Sequence, residues 1–280
     1  MLAQEFMRNA FLAGGGIALA AAFAGYFLVL RNQVFAGESL SHVAFTGALA
    51  ALALGADPLL GLVTITVAAA VALGAIGGHS RGRDVVVGTV FAWVLGLGVL
   101  FLSLHTTSQS SSNGVAGVNV LFGSIFGISA QQAVISAAVA VAVMIALAII
   151  ARPLLFATLS PDAAAGRGIP VRLLGLIFLT LTGVTVAVAV QAVGALLVLG
   201  LMVTPAAIAL RVTARPFAAM ALSVALGLVF VWTGLALSHT FQRVPPSVCI
   251  IALGFAGYVV TVIATASPVR RRLGGFSISL

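Results

Sequence analysis

Long apolar runs, separated by short segments that carry the arginines, are the feature that most constrains this chain. A helix needs about 20 apolar residues to cross the hydrocarbon core of a bilayer, and several runs reach that length. Hydrophobic residues make up 62% of the sequence and charged residues only 6%, whereas soluble domains carry about 25% charged residues. The pattern therefore predicts an all-α integral membrane protein, built as a polytopic transmembrane helical bundle.

About nine apolar segments are predicted to span the bilayer within one transmembrane domain that covers residues 1–280. They are residues 10–30, 38–54, 59–77, 85–104, 129–150, 172–190, 193–210, 217–237 and 247–266. Between the fourth and fifth spans, residues 118–128 are apolar but too short to cross and are predicted to be re-entrant or interfacial. Only Gln191 and Ala192 separate the sixth predicted span from the seventh.

The distribution of the arginines predicts the orientation of the spans, because cytoplasmic loops carry an excess of basic residues. If Arg270–Arg272 is cytoplasmic, every arginine except Arg8 and Arg243 falls on the inner side. The amino terminus is then outside, the carboxyl terminus inside, residues 105–117 external and residues 152–171 cytoplasmic. The net charge of +8 is explained by this rule, so no nucleic-acid partner is expected.

A carboxylate and an imidazole, Glu38 and His42, lie four residues apart in an otherwise apolar run. On a helix both side chains share one face and can reach one point. An ionisable group at membrane depth costs about 2.5–3.5 kcal/mol on insertion scales, which favours a functional role over an ion pair that only fixes packing. Carboxylate with imidazole suits Mn²⁺, Fe²⁺ or Zn²⁺, so we predict that the pair handles metal.

Three further features carry predictions of their own. Capping residues predict three helix starts. Asp57 before Pro58 begins the third span, and Ser129 with Gln132 forms a capping box at the start of the fifth. Ser160 as N-cap, Pro161 at the first position and Asp162 in the first turn predict a short helix, Pro161–Gly166, outside the bilayer. A phosphate-binding loop needs a lysine after its second glycine, and the sequence has no lysine, so we expect no ATP hydrolysis by this chain. His105 and His239, at outer span ends, are either solvated loop residues or metal acceptors.

Four motifs, taken in chain order, resemble the permease subunits of ATP-binding-cassette (ABC) importers for zinc, manganese and iron. The family's first signature reads Gly-Asp-Ala-(Leu/Ile)-Ser-His, and the resemblance covers nearly the whole chain. The corresponding segments here are Gly37-Glu38-Ser39-Leu40-Ser41-His42, Leu121-Phe122-Gly123-Ser124-Ile125, Ser160-Pro161-Asp162 with Gly168, and Val193-Gly194-Ala195-Leu196-Leu197 through Pro205-Ala206-Ala207.

The resemblance implies a type II ABC importer fold in the bacterial plasma membrane. The chain would be a permease subunit, not an enzyme, that passes Mn²⁺, Zn²⁺ or Fe²⁺ through a dimeric pore and holds no permanent cofactor. Its expected partners are a second copy of itself, cytoplasmic ABC ATPase subunits, an extracytoplasmic metal-binding protein and membrane lipid. The family's metal-contacting positions fall on Glu38, where Glu replaces Asp, and on His42. The family's cytoplasmic coupling helix, at the ATPase contact, falls on Ser160, Pro161, Asp162 and Gly168.

Two other classes of protein remain open at this point. A proton-coupled secondary metal transporter would use Glu38 and His42 as a proton relay, but such transporters often show inverted repeats and no second copy of this pattern is seen. A membrane scaffold without transport leaves a buried Glu38 unexplained. A neighbouring gene that encodes a Walker-type ATPase would favour the importer.

The predicted orientation can be tested by labelling whole cells with an impermeant thiol reagent in a Cys249→Ala background. Ser110→Cys should be labelled, because residues 105–117 are predicted to be external, and Ser277→Cys should be protected. Labelling of Ser277→Cys with protection of Ser110→Cys would refute the orientation.

Overall fold

The computed structural model describes residues 5–75, 83–108, 122–195, 197–241 and 244–273. Within these residues all regular secondary structure is helical, and a 3₁₀ helix, Ile125–Gly127, precedes α5. The α-helices are α1 (Glu5–Leu30), α2 (Val34–Ala53), α3 (Pro58–Ala75), α4 (Arg83–Ser108), α5 (Ala130–Leu159), α6 (Pro161–Gly166), α7 (Val171–Val193), α8 (Val198–Val212), α9 (Pro216–Thr240) and α10 (Pro246–Leu273).

Each predicted span corresponds to one of these helices. Seven of them, namely α1, α3, α4, α5, α7, α9 and α10, are long and apolar enough to cross a bilayer. Of the other two predicted spans, α8 is apolar but has only 15 residues, and α2 has 20 residues that include Glu38 and His42. The prediction of an all-α transmembrane bundle is confirmed, and among the described residues seven of the nine predicted spans are long and apolar enough to cross.

Helix α1 is the central element of the bundle, and 83% of the residues in its most apolar 18-residue stretch are buried. It packs against α5, α8 and α9 through small residues. A Cβ atom at Gly16 would lie 2.9 Å from the Cα atom of Ala137 on α5, and one at Gly25 would collide with the backbone of Met202 on α8. Small residues let membrane helices approach this closely, because their association depends on direct packing.

Helix α2 is held between α3 and α4. It crosses α3 where Gly47 meets Gly61, and a Cβ atom at Gly47 would lie 2.6 Å from the carbonyl oxygen of Gly61. On its other side the hydroxyl of Thr46 donates a hydrogen bond of 3.0 Å to the carbonyl of Val94 on α4. These two contacts fix the helix that carries Glu38 and His42.

The break between α7 and α8 lies later in the chain than the sequence predicted. Gln191 and Ala192 were expected to separate the two spans, but both belong to α7, which ends at Val193, and α8 begins at Val198. Gly194 allows the break, because its φ of 92° lies in a region that glycine alone adopts easily. Leu196 lies outside the described residues.

Residues 122–129 pack on this break and make no spanning helix. Gly123, with φ of 76°, lies so close to the end of α7 that a Cβ atom there would stand 2.5 Å from the carbonyl carbon of Val193. Ile125 is buried, and its side chain approaches Gly14 of α1. Leu121, the first residue of the second motif, lies outside the described residues.

Several local predictions are confirmed by the helix ends. The backbone N–H of Leu59 donates to the Asp57 carboxylate at 2.8 Å where α3 begins. Ser129 and Gln132 form the capping box of α5, and α6 has the predicted bounds. Helix α2 begins at Val34, one turn earlier than expected, so Glu38 lies inside the helix. Residues 109–117 of the predicted external loop lie outside the described part of the chain.

The close crossing of α2 and α3 predicts a position-specific cost for a single methyl group. Gly47→Ala should lower the free energy of unfolding by about 1–3 kcal/mol, because the added Cβ atom must push the two backbones apart. Gly96→Ala is the matched control, since no heavy atom lies within 4 Å of its Cβ position on α4. Unfolding of both variants in detergent measures the difference, and equal stabilities would contradict the close crossing.

Candidate functional site

Glu38 and His42 lie in the first half of α2 and share one face of the helix. Both side chains are half-buried, whereas the intervening Ser39 and Ser41 are buried. The two serine hydroxyls donate hydrogen bonds to backbone carbonyls of the same helix, Ser39 to Phe35 at 2.9 Å and Ser41 to Glu38 at 2.7 Å. The serines are therefore engaged locally, and Glu38 and His42 are the groups of this segment that remain to meet a ligand.

The imidazole of His42 is positioned by an aromatic ring on α4. The His42 ring meets Phe91 edge to face, with ring centroids 4.9 Å apart and an interplanar angle of 84°. Phe91 also packs against Phe35, at 5.8 Å between centroids, so the three rings form one cluster between α2 and α4. The orientation of the imidazole is thus set by packing.

The ring nitrogen Nδ1 of His42 is buried, and no described residue offers it a hydrogen-bond partner. Buried polar atoms are nearly always paired, so an orphaned one calls for an explanation such as a bound ion. A neutral imidazole presents one nitrogen with a lone pair to a metal ion. Glu38 lies one helical turn before His42 on the same face of α2, so both groups can reach one dication.

The structure brings together only two of the candidate metal ligands. No group of three or more His, Cys, Asp or Glu side chains is found among the described residues. His239 is half-buried at the end of α9, and Cys249 is buried in α10. The side chain of His105 lies outside the described residues. One chain therefore offers a carboxylate and an imidazole, which is half of a four-ligand site.

The short helix α6 presents an exposed surface at one end of the bundle. Ser160, Asp162 and Gly168 are exposed, while Ala164 is buried against the bundle. Ser160 occupies the N-cap position but makes no side-chain cap, and Gly168 ends the turn after the helix with φ of 75°. These residues are accessible to a partner, as the predicted contact requires.

Two residues at key contacts were missed by sequence reasoning. Phe91 is one of many aromatic residues in apolar runs, and nothing in the sequence pairs it with His42. Arg31 was counted only as a basic residue of a loop, but its Nη1 atom donates a hydrogen bond of 3.0 Å to the hydroxyl of Thr158 on α5. Both contacts join residues far apart in the chain, and no local pattern signals them.

Ionisable residues inside membrane helices are typical of substrate or ion pathways, so an apolar bundle with such a pair fits a membrane transport protein. Sequence comparison identifies which one. The profile of the ABC 3 transport family matches residues 3–265, and the chain belongs to this family. The resemblance carried by the four motifs is confirmed.

The chain is similar over most of its length to transport proteins of several bacteria. The manganese transport system membrane protein MntC of Halalkalibacterium halodurans is 26% identical over 243 residues, which are 86% of this chain and 82% of the relative. The high-affinity zinc uptake system membrane protein ZnuB of Haemophilus influenzae is 28% identical over 248 residues, 88% and 93% of the two chains.

A solved structure supports the fold. PsaBC from Streptococcus pneumoniae, determined in complex with Fab, matches with a TM-score of 0.79 and 23% identity. The match covers 92% of this chain and 91% of that chain. The permease-like helical fold expected from the motifs is therefore confirmed.

The contact between His42 and Phe91 predicts a measurable coupling. Aromatic pairs contribute about 0.5–1.5 kcal/mol beyond burial, so a double-mutant cycle of Phe91→Leu and His42→Ala should give a coupling energy in that range. Trp93→Leu is the control on the same helix, because Trp93 is 69% exposed. Unfolding in detergent is the measurement, and additive effects of the Phe91 and His42 changes would contradict the contact.

Proposed function

We propose that this protein is the membrane-spanning permease subunit of an ATP-driven importer for a divalent metal ion, Mn²⁺, Zn²⁺ or Fe²⁺. The observation that carries the proposal is the Glu38–His42 pair inside a helix of the bundle, with a buried His42 Nδ1 atom that no described residue pairs. Family membership supports an ABC system rather than a proton-coupled secondary transporter. The manganese and zinc systems named for the relatives support the cargo.

The chemistry of the pair suits a transported ion. The Glu38 carboxylate supplies negative charge, and the His42 imidazole supplies a nitrogen of intermediate softness, the donors that Mn²⁺, Fe²⁺ and Zn²⁺ accept. Charge is needed because a dication that enters a low-dielectric passage loses its hydration. Two ligands hold an ion weakly, and a transported ion must leave its site as readily as it enters.

A second copy of the chain completes the site in this proposal. Glu38 and His42 each keep part of their side chains exposed, so a symmetry-related pair has access to the same ion. Two carboxylates and two imidazoles around a two-fold axis give a transient four-ligand cage. An extracytoplasmic metal-binding protein delivers the ion to the side on which residues 105–117 lie.

Separate ABC ATPase subunits drive the cycle from the cytoplasmic side. Residues 152–171 form the cytoplasmic coupling segment, in which residues 152–159 continue α5 and α6 follows. The exposed Ser160 and Asp162, with Pro161 and Gly168, form the contact with the ATPase. The chain lies in the plasma membrane, as one domain, with its amino terminus outside and its carboxyl terminus inside. This orientation places α6 and the end of α1 on the same side, which agrees with the contact between Arg31 and Thr158.

Glu38→Gln tests the proposed site, because it keeps the size of the side chain and removes its charge. Metal uptake into vesicles that contain the whole complex should fall more than about tenfold. One unit charge at 4 Å contributes about 4 kcal/mol at an effective dielectric of 20, and about 1.4 kcal/mol corresponds to a factor of ten. Glu5→Gln is the matched control, since Glu5 is exposed at the start of α1.

Further variants of Glu38 and His42 test whether the two residues act on one ion. Glu38→Asp keeps the charge and should retain uptake, with a changed preference among Mn²⁺, Zn²⁺ and Fe²⁺. His42→Ala should be as damaging as Glu38→Gln, and the double variant little worse, because both changes disable one site. Uptake at the parental rate by Glu38→Gln would show that Glu38 is a packing residue and would overturn the proposed site.

A further inference from the structure

The turn between α1 and α2 is a tight, hydrogen-bonded connection. It consists of Arg31, Asn32 and Gln33, and Asn32 adopts a positive φ of 53°. The backbone N–H of Gln33 donates to the carbonyl of Leu28 at 2.8 Å, which closes the turn against the end of α1. Since α2 begins at Val34, a displacement of this turn is transmitted directly to the start of the helix that carries Glu38 and His42.

The side chain of Arg31 joins this turn to two other helices. Its Nη1 atom donates to the hydroxyl of Thr158 on α5 at 3.0 Å, and its guanidinium lies over the ring of Phe178 on α7, 5.6 Å from the ring centroid. The Nη2 atom lies 3.4 Å from the position that a Cβ atom would take at Gly175 of α7. A planar guanidinium can donate in its plane while its face stacks, which a lysine ammonium cannot do.

The end of α5 that Arg31 holds is continuous with α6. The Thr158 hydroxyl donates to the carbonyl of Leu154 at 2.6 Å, which orients its oxygen to accept from Arg31. Helix α6 begins three residues later, at Pro161. Beyond α6 the guanidinium of Arg167 folds back over the ring of Phe156 on α5, at 5.1 Å from its centroid. The last turn of α5 and α6 thus form one packed unit.

We propose that Arg31 is a positioning residue that links α6 to the Glu38–His42 helix. Movement of α6 by an ATPase passes through the last turn of α5 and Arg31 to the turn before α2. This inference rests on the proposed function, because it needs an ATPase that acts on α6. Coupling between two sites requires an element that both of them bias, and Arg31 provides the side-chain contact between them.

The same contacts also fit a simpler role for Arg31, in which it serves only as a cation at the end of α1. A cation at the end of α1 favours the helix dipole and obeys the positive-inside rule, and a lysine would serve both purposes. Arg31→Lys therefore separates the two roles, because it keeps the charge and loses the simultaneous stacking and hydrogen bonding. Thr158→Val removes only the hydroxyl that accepts from Arg31 and preserves the shape of the side chain.

The experiment uses the complete complex with its ATPase subunits in liposomes and measures metal ions transported per ATP hydrolysed. In Arg31→Gln this ratio should fall at least about fivefold, the lower end of typical couplings between sites, while ATP hydrolysis persists. Arg31→Lys and Thr158→Val should give smaller losses in the same direction. The double variant Arg31→Gln with Thr158→Val should match Arg31→Gln alone, because both changes break one bond.

Two matched controls should keep the parental ratio. Arg8→Lys changes an exposed arginine at the opposite end of α1. Thr180→Val removes a hydroxyl of α7 that donates to the Leu176 carbonyl of its own helix. Should Arg31→Gln prevent assembly of the complex, Thr158→Val carries the test.

A second measurement is independent of the cargo. Hydrogen exchange of residues 33–42 in the parental complex should change when nucleotide binds, and this response should be lost in Arg31→Gln. Equal losses of transport and ATP hydrolysis in Arg31→Gln, with the exchange response intact, would overturn the role of Arg31 and leave the proposed function standing. If the parental complex moves no metal, the proposed function fails, and the exchange response alone then supports or refutes the link.

Discussion

Direct packing between helices is the constraint on which this structure depends. Lipid tails are as apolar as the helix surfaces, so the hydrophobic effect does not drive the helices together. The helices meet where small residues let backbones approach, as at Gly16 and Gly25 of α1 and at the crossing of Gly47 with Gly61. The crossing at Gly47 fixes α2 against α3, and the Thr46 hydrogen bond fixes it against α4. These two contacts hold the helix that carries Glu38 and His42 in one position within the bundle.

The position of α2 links the site to the end of the bundle that carries α6. Glu38 lies one turn inside α2, and the turn before this helix is held by Arg31 to the last turn of α5. The same region contains the groups of the proposed metal site. It has a charge from Glu38, a buried nitrogen from His42 and an apolar wall from Phe91 that orients the imidazole. The contact of Arg31 with Thr158 therefore joins the turn before α2 to the end of α5 that precedes α6.

The sequence predicted most of the secondary structure, because membrane helices are encoded locally. The lengths of the apolar runs predicted the spans, and capping residues predicted the starts of α3, α5 and α6. The sequence predicted the break between α7 and α8 too early, because Gln191 and Ala192 are compatible with a helix. The end of α7 is set by the packing of residues 122–129 against Gly194, which the sequence does not show. The contacts of Phe91 with His42 and of Arg31 with Thr158 could not be predicted from the sequence, because they depend on how the helices cross. That Glu38 and His42 share one face of a helix was predictable from their spacing, and their role in handling metal stays a prediction.

The most direct test of this account is to locate the ion. Crystals of the whole complex soaked with Zn²⁺ and measured at the zinc absorption edge should show an anomalous peak between Glu38 and His42. The peak should lie about 2.0–2.2 Å from a Glu38 carboxylate oxygen and from an imidazole nitrogen of His42. A zinc peak that lies elsewhere along the passage, with Glu38 and His42 ordered and unoccupied, would contradict the claim that this pair receives the transported metal.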